Sequence, residues 1–150
     1  MRLVFAFLIA FLLFVAIARA DDYCFDEAGR EFGVSPNLLM CYSQHESKGN
    51  QKVQPNRNTD GSVDVCHMQI NSSWKNAVGK KYGRSRADAW WRGLADPCEC
   101  TKAGAVILAD CIKRHGLNWR GLGCYNAKSD RKRLKYSAAL VKTCSGGVGH

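Results

Sequence analysis

The spacing of apolar residues along the chain predicts four helices arranged around one polar, turn-rich stretch. Cys24, Phe25, Ala28 and Phe32 recur at helical intervals, and Gly33 supplies a C-terminal stop. Ser35 and Pro36 open the second helix, because serine can cap free amides and proline fits the first turn. In that helix Leu38, Leu39, Tyr42 and Glu46 share a face, while Cys41 and His45 lie on another, which makes His45 a flanking surface residue. Residues 47–64 are rich in asparagine and glycine and contain Pro55, a composition of turns rather than helix. Within them Asn56 to Asp64 reads as a β-hairpin with Asp60-Gly61 at its turn. Gln69 and Asn71 flank Ile70, so in extended backbone they face the same side. Thr101 can cap a third helix that carries Ala103, Ala105, Val106, Ile107, Leu108, Cys111 and Ile112 and stops at Gly116. It is apolar on most sides, as a buried central helix should be. The last helix starts near Asp130 with Leu134, Ala138 and Val141 on one face, and Ser145 to His150 forms a tail of small residues.

The first twenty residues behave differently. Arg2, the unbroken apolar run Leu3 to Ile17 and the small-x-small site Ala18-Arg19-Ala20 have the form of a secretory signal peptide, with an uncleaved anchor as the alternative. The run is shorter than the roughly 20 residues of a membrane-spanning helix, which favours cleavage. Residues 21–150 then form one domain, without internal repeat or low-complexity linker. They carry 20 basic and 13 acidic residues, a net charge of +7 that draws polyanions. Nucleic acid suits neither an exported chain nor the lack of any recognisable binding motif, whereas an anionic cell-wall polymer suits both. All eight cysteines, Cys24, Cys41, Cys66, Cys98, Cys100, Cys111, Cys124 and Cys144, lie after the leader, and an even number in a small exported chain indicates disulfides. Cys98-x-Cys100 and Cys66-His67 lack the paired spacing of a structural zinc site, so no metal is expected.

The candidate chemistry centres on Glu46. A carboxyl at the end of an apolar stripe holds its proton more tightly than one in water, as a general acid working near neutral pH must. Asp64, 18 residues further on, is the natural candidate for a second carboxylate, with hydrogen bonding inside the hairpin as the structural alternative. Gln69 and Asn71 either hydrogen-bond a sugar or brace the hairpin. The basic stretch Lys75 to Gly93 includes Trp90 and Trp91, whose more common fate is burial, and the pair is left out of the site.

Glu46-Ser47, NRNTDGSVD (Asn56 to Asp64), MQINSSW (Met68 to Trp74), Asp96-Pro97-Cys98, GAVILA (Gly104 to Ala109) and Tyr125-Asn126-Ala127 occur in this order over nearly the whole chain after the leader. In this combination the chain resembles the lysozyme-like superfamily, and in particular the small lytic transglycosylases that accompany bacterial secretion, pilus and conjugation machines. The resemblance implies a mainly α, α+β lysozyme-like fold, a helical domain with a small β-hairpin flanking the active-site groove. It implies that Glu46 serves as both acid and base, that Ser47, Gln69, Tyr125 and Asn126 line the groove, and that Tyr125 orients the glutamate or the sugar. It further implies peptidoglycan glycan strands as partner and substrate, no cofactor, a monomer, and a disulfide between Cys24 and Cys98. The pairing of the other six cysteines stays open. Two departures stand out: Cys66-His67 where the family commonly has Gly-Leu, and Lys128 where it has Gly. They bring a histidine and a lysine near the groove, where they are expected to alter pH dependence or polymer contact.

Three readings follow. The first is an exported lytic transglycosylase that opens the wall locally for such a machine. The second keeps the fold but delivers water, as a lysozyme-type hydrolase using Glu46 and Asp64. The third is a non-catalytic wall-binding assembly factor.

Overall fold

Asp96 sets the start of the helix on which the molecule is built. Its side chain accepts a hydrogen bond from the Glu99 N–H at 3.0 Å, and Pro97 occupies the first turn. The computed structural model describes residues 22–146, so the expected signal peptide and the last four residues of the tail lie outside the described residues. Helix α1 spans Phe25–Phe32 and α2 Pro36–Ser47; strands β1, β2 and β3 cover Asn56–Arg57, Val63–Val65 and Ile70–Asn71. Then come α3 (Ser73–Tyr82), α4 (Arg84–Gly93), α5 (Pro97–His115), α6 (Trp119–Cys124) and α7 (Asp130–Ser145). This is the mainly helical α+β arrangement expected of a lysozyme-like chain.

The central helix begins four residues earlier than Thr101, and Thr101 is an interior, fully buried residue rather than its cap. Aspartate before proline is the stronger start signal, and the Thr101 hydroxyl instead donates back to the Pro97 carbonyl at 3.1 Å. Ala103, Ala105, Ile107 and Leu108 of α5 are buried against Leu39, Tyr42, Met68, Ile70 and Leu140. The Gly33 stop holds, with φ of 67° and its N–H bonded to the Gly29 carbonyl. Pro36 starts α2 as expected, but Ser35 makes no side-chain capping bond.

The hairpin pairs Asn56 with Asp64 and Arg57 with Val63, around a turn in which Gly61 takes φ of 81°. A third strand, not anticipated, lies on the other side of β2, pairing Asp64 with Asn71 and Val65 with Ile70. Gln69 does not share its extended backbone: it sits in a left-handed conformation with φ of 49° at the end of a turn, so it and Asn71 do not stand side by side on a strand. Helix α7 is also rotated from the expected phase. Leu134 and Val141 are 53% and 52% exposed, whereas Ser137 and Leu140 are buried and Tyr136 and Cys144 pack against the core.

Four disulfides tie these elements: Cys24–Cys98, Cys41–Cys144, Cys66–Cys100 and Cys111–Cys124. The first joins α1 to the start of α5, the second fastens the end of α7 to α2, and the third holds the turn after β2 on α5. His67, expected beside the groove, lies in that turn fully buried. Its Nε2–H donates to the Pro97 carbonyl at 3.2 Å, which makes Nδ1 the acceptor for the Ser43 hydroxyl at 2.8 Å. Burial pushes this imidazole down to about 4, outweighing the Pro97 hydrogen bond. Polymer contact is closed to it.

Peptide mapping of the oxidised protein without reduction should recover these four cysteine pairs, and alkylation should label no thiol until a reductant is added. A free thiol at Cys24 or Cys98 would contradict the connectivity.

Candidate active site

Glu46 lies one turn beyond Tyr42, near the end of α2. The helix stops at Lys48, which adopts φ of 57°, and its N–H caps onto the Gln44 carbonyl. Ser47 fastens this end to the turn between β2 and β3, donating to the His67 carbonyl at 2.8 Å and accepting from the Asn50 N–H at 3.0 Å. The Glu46 carboxyl is thus delivered to the junction between the helices and the sheet.

The group bonded to it comes from α7. Tyr136 donates its hydroxyl to Oε1 of Glu46. Burial pushes Glu46 from 4.5 up to about 7, the Tyr136 hydrogen bond opposes the shift, and the negative charge of Asp64 adds to it. Burial also raises the Tyr136 and Tyr42 hydroxyls far above the phenol range, aided by Glu46, so both stay neutral donors. Tyr42 donates to the Leu122 carbonyl at 2.8 Å, and its ring lies 4.9 Å from that of Tyr125. The Tyr42 ring also lies 6.3 Å from that of Tyr136, so the three tyrosines form one aromatic cluster whose Tyr136 hydroxyl reaches the carboxyl.

Tyr125, expected to orient the glutamate or the sugar, donates to the Met68 carbonyl at 2.9 Å. Gly104 makes room for this contact: a Cβ there would stand 3.2 Å from the Tyr125 hydroxyl and 2.5 Å from Cε of Met68. Gln69 bonds through Nε2 to the Cys66 carbonyl at 3.1 Å, within its own turn. Asn126 is exposed after α6. Asp64 receives the Asn58 amide at 2.9 Å on one oxygen and the Asn71 amide at 2.8 Å on the other. Asn71 also donates to the Ser62 hydroxyl at 2.9 Å, so it braces the hairpin. Asp60, at the hairpin turn, is held below its ordinary value chiefly by the Ser62 hydroxyl and N–H, with a smaller pull from the exposed Lys128. Lys128 thus lies within electrostatic reach of the hairpin turn.

Sequence reasoning missed Tyr136 and misplaced His45. The His45 imidazole bonds the Thr143 hydroxyl at 2.9 Å and meets the Tyr136 ring edge-on at 5.1 Å, and burial lowers its pKa. A signal was present, since Arg133, Tyr136, Leu140 and Cys144 also recur at helical spacing, and a bridged Cys144 must face inward. Among the described residues the cluster of metal-type donors is Cys24, Glu27 and Cys98. Its sulfurs are bonded to each other, and a disulfide offers no thiolate. A cavity of about 970 Å³ lined by Tyr23, Gln51, Val65, Trp91 and Leu94 lies on the face of β2 turned away from Asp64 and contains none of the candidate site residues.

The family description Transglycosylase SLT domain matches residues 23–140. The chain belongs to this family. Among curated relatives, the Invasion protein IagB of Salmonella typhi is 36% identical over 132 residues, covering 86% of this chain and 76% of the relative. Protein IpgF of Shigella flexneri is 31% identical over 130 residues (84% and 80%), and a peptidoglycan-binding-like protein of Escherichia coli O157:H7 is 34% identical over 146 residues (89% and 85%). In this SLT domain two opposed titrations flank one turn. Glu46, with a raised pKa, favours the folded state fully below pH 4.5 and loses that contribution as pH rises to about 7. His67, with a lowered pKa, contributes fully above pH 6.5 and loses it as pH falls to about 4.

Urea unfolding with the disulfides intact should therefore show Glu46→Gln gaining stability over the wild type as pH rises from 4.5 to 8, by up to about 3 kcal/mol. A difference that stays flat with pH would mean an ordinary, solvated Glu46.

Proposed function

We propose that this SLT domain is an exported peptidoglycan lytic transglycosylase that cleaves the β-1,4 bond between N-acetylmuramic acid and N-acetylglucosamine with a single catalytic carboxyl. The observation that carries the reading is the Glu46 carboxyl, half-buried among tyrosines, hydrogen-bonded by Tyr136 and titrating near 7. Such a group is protonated often enough to act as an acid and ionises readily enough to act as a base. Glu46 first gives its proton to the glycosidic oxygen. Its carboxylate, now stabilised by the Tyr136 hydroxyl, then takes the proton of the muramic acid C6 hydroxyl as that oxygen attacks C1. The bond cleaved is C1 to the glycosidic oxygen, the bond formed is C1 to O6, and the product carries a 1,6-anhydro ring without uptake of water.

Asp64 supports this division of labour by its charge. Both its oxygens are engaged by Asn58 and Asn71, which suits a fixed anion facing an oxocarbenium-like state. The same charge supports the lysozyme-type alternative, in which Asp64 and Glu46 work as a pair and water closes the reaction. Export follows from the leader pattern, and the four disulfides fit an oxidising compartment. Local opening of the wall for a secretion, pilus or conjugation apparatus is the role most in keeping with a relative named as an invasion protein.

Glu46→Gln should fold and lose nearly all wall-lysing activity, while Asp64→Asn keeps much more. Mass spectrometry of the digest should find anhydro-ended muropeptides, one water lighter than hydrolytic fragments. Mainly reducing ends, with Asp64→Asn as inactive as Glu46→Gln, would instead establish the hydrolase; a wild type that lyses no wall would leave only a binder, and a Glu46→Gln variant that lyses at the wild-type rate would remove Glu46 from the role. Activity should fall as pH rises through about 7, where Glu46 loses its proton. Tyr136→Phe removes a hydrogen bond that favours the carboxylate, so this limb should move to higher pH as the maximum rate drops. An unmoved limb would detach Tyr136 from the titration.

A further inference from the structure

The outward face of α7 belongs neither to the core nor to the site. Leu134 and Val141 are 53% and 52% exposed, and Ala138 between them is exposed as well. At about 100° per residue these three side chains fall within a sector of roughly 60°. Arg131, Lys135 and Lys142, all exposed, fill the adjacent sector, and among the described residues none of them is in an ion pair. Tyr136 and Leu140 point to the opposite side, toward Glu46 and the core. The helix thus turns one face to the catalytic carboxyl and presents a second amphipathic face outward.

We propose that this outward face docks on the surface of an anionic phospholipid bilayer. An apolar strip lying beside a row of cations is the pattern of a helix resting in a membrane interface, where the strip enters the acyl boundary and the cations meet phosphates. A polyanionic glycan would satisfy the cations but leave Leu134 and Val141 in water. A specific protein partner needs roughly 800 Å² on each side, far more than two large side chains and an alanine provide. The chain's excess of basic residues adds a long-range attraction of the same sign. Docking through this face leaves the Glu46 carboxyl on the other side of α7, away from the bilayer that holds the protein. The inference is independent of whether the cleft hydrolyses or transglycosylates.

The test is co-sedimentation of the mature protein with vesicles of equal parts phosphatidylglycerol and phosphatidylcholine, compared with pure phosphatidylcholine. Binding is expected only to the anionic vesicles and should weaken in high salt. Each cation near such a surface is worth about fivefold in affinity, so the double variant Lys135→Glu, Lys142→Glu should bind at least tenfold more weakly. Leu134→Ser with Val141→Ser should also lose about tenfold, and both pairs should keep the wild-type melting temperature and wall-lysing rate. Absence of binding to anionic vesicles overturns the proposal. So does binding that ignores the Leu134 and Val141 change, or that falls equally when Arg84 and Arg86 of α4 are replaced by glutamate, since either result means diffuse charge attraction rather than a docking face.

Discussion

The hydrogen bond from Tyr136 to Glu46 joins the middle of α7 to the last turn of α2 across 90 residues of sequence, and the protonation of the candidate catalytic group depends on how those helices are held. Burial alone would drive Glu46 further toward its neutral form; the phenol pulls it back toward a range in which both forms are accessible. The neighbouring structure protects this one contact. Cys41–Cys144 clamps α2 to α7 by a covalent bond, and His45 with Thr143 adds a hydrogen bond between the same helices. A small domain with limited core cannot rely on packing alone to hold a donor in place.

Glu46 and His67 illustrate how one physical cause produces opposite outcomes. Both lose water on folding, and loss of water disfavours the charged form of each. The acid therefore keeps a proton that it would release in solution, and the base refuses one that it would accept. The two are joined through α2: Ser43 donates to the His67 ring and Ser47 to the His67 carbonyl. His67 is thereby a brace for the turn that closes the sheet onto the helices. Its neutral state is a condition of that role, because the Ser43 hydroxyl needs an acceptor at Nδ1.

Asp64 and Asn71 show the sheet serving the site in a similar way. Two strands of two and three residues would be marginal by themselves. Side-chain amides from β3 and the hairpin turn converge on the Asp64 carboxylate and replace the ladder bonds that the short strands lack. The negative charge is consequently fixed in direction on the side of β2 that faces Glu46. Tyr125 acts one layer below, holding the Met68 carbonyl and hence the turn that joins the strands.

Local pattern was enough to place α1, α2, the hairpin and the buried central helix, because helix stops, turn residues and apolar periodicity act over only a few neighbours. The same reasoning put Glu46 at the end of an apolar stripe, and there it lies. It failed wherever the outcome depended on a distant partner. Leu134, Ala138 and Val141 carry as good a helical stripe as Tyr136, Leu140 and Cys144, and apolar periodicity within the sixteen residues does not decide which one faces inward; Cys144, through its bond to Cys41 103 residues away, does. His67 looked like a groove residue because Met-Gln-Ile-Asn follows it, yet Ser43 and Pro97 close around it. The order of Tyr125 and Tyr136 as partners of Glu46 likewise follows from how α6 and α7 pack. The sequence by itself determined the helices with clear stops and apolar periodicity, the hairpin and which carboxyl ends the stripe, since those are short-range matters, whereas β3, α3, α4 and α6 were not announced by its pattern. Tertiary structure alone decided which phenol reaches that carboxyl, which histidine is buried and which face of α7 meets solvent, because each is a competition between surfaces that meet only when the chain is folded.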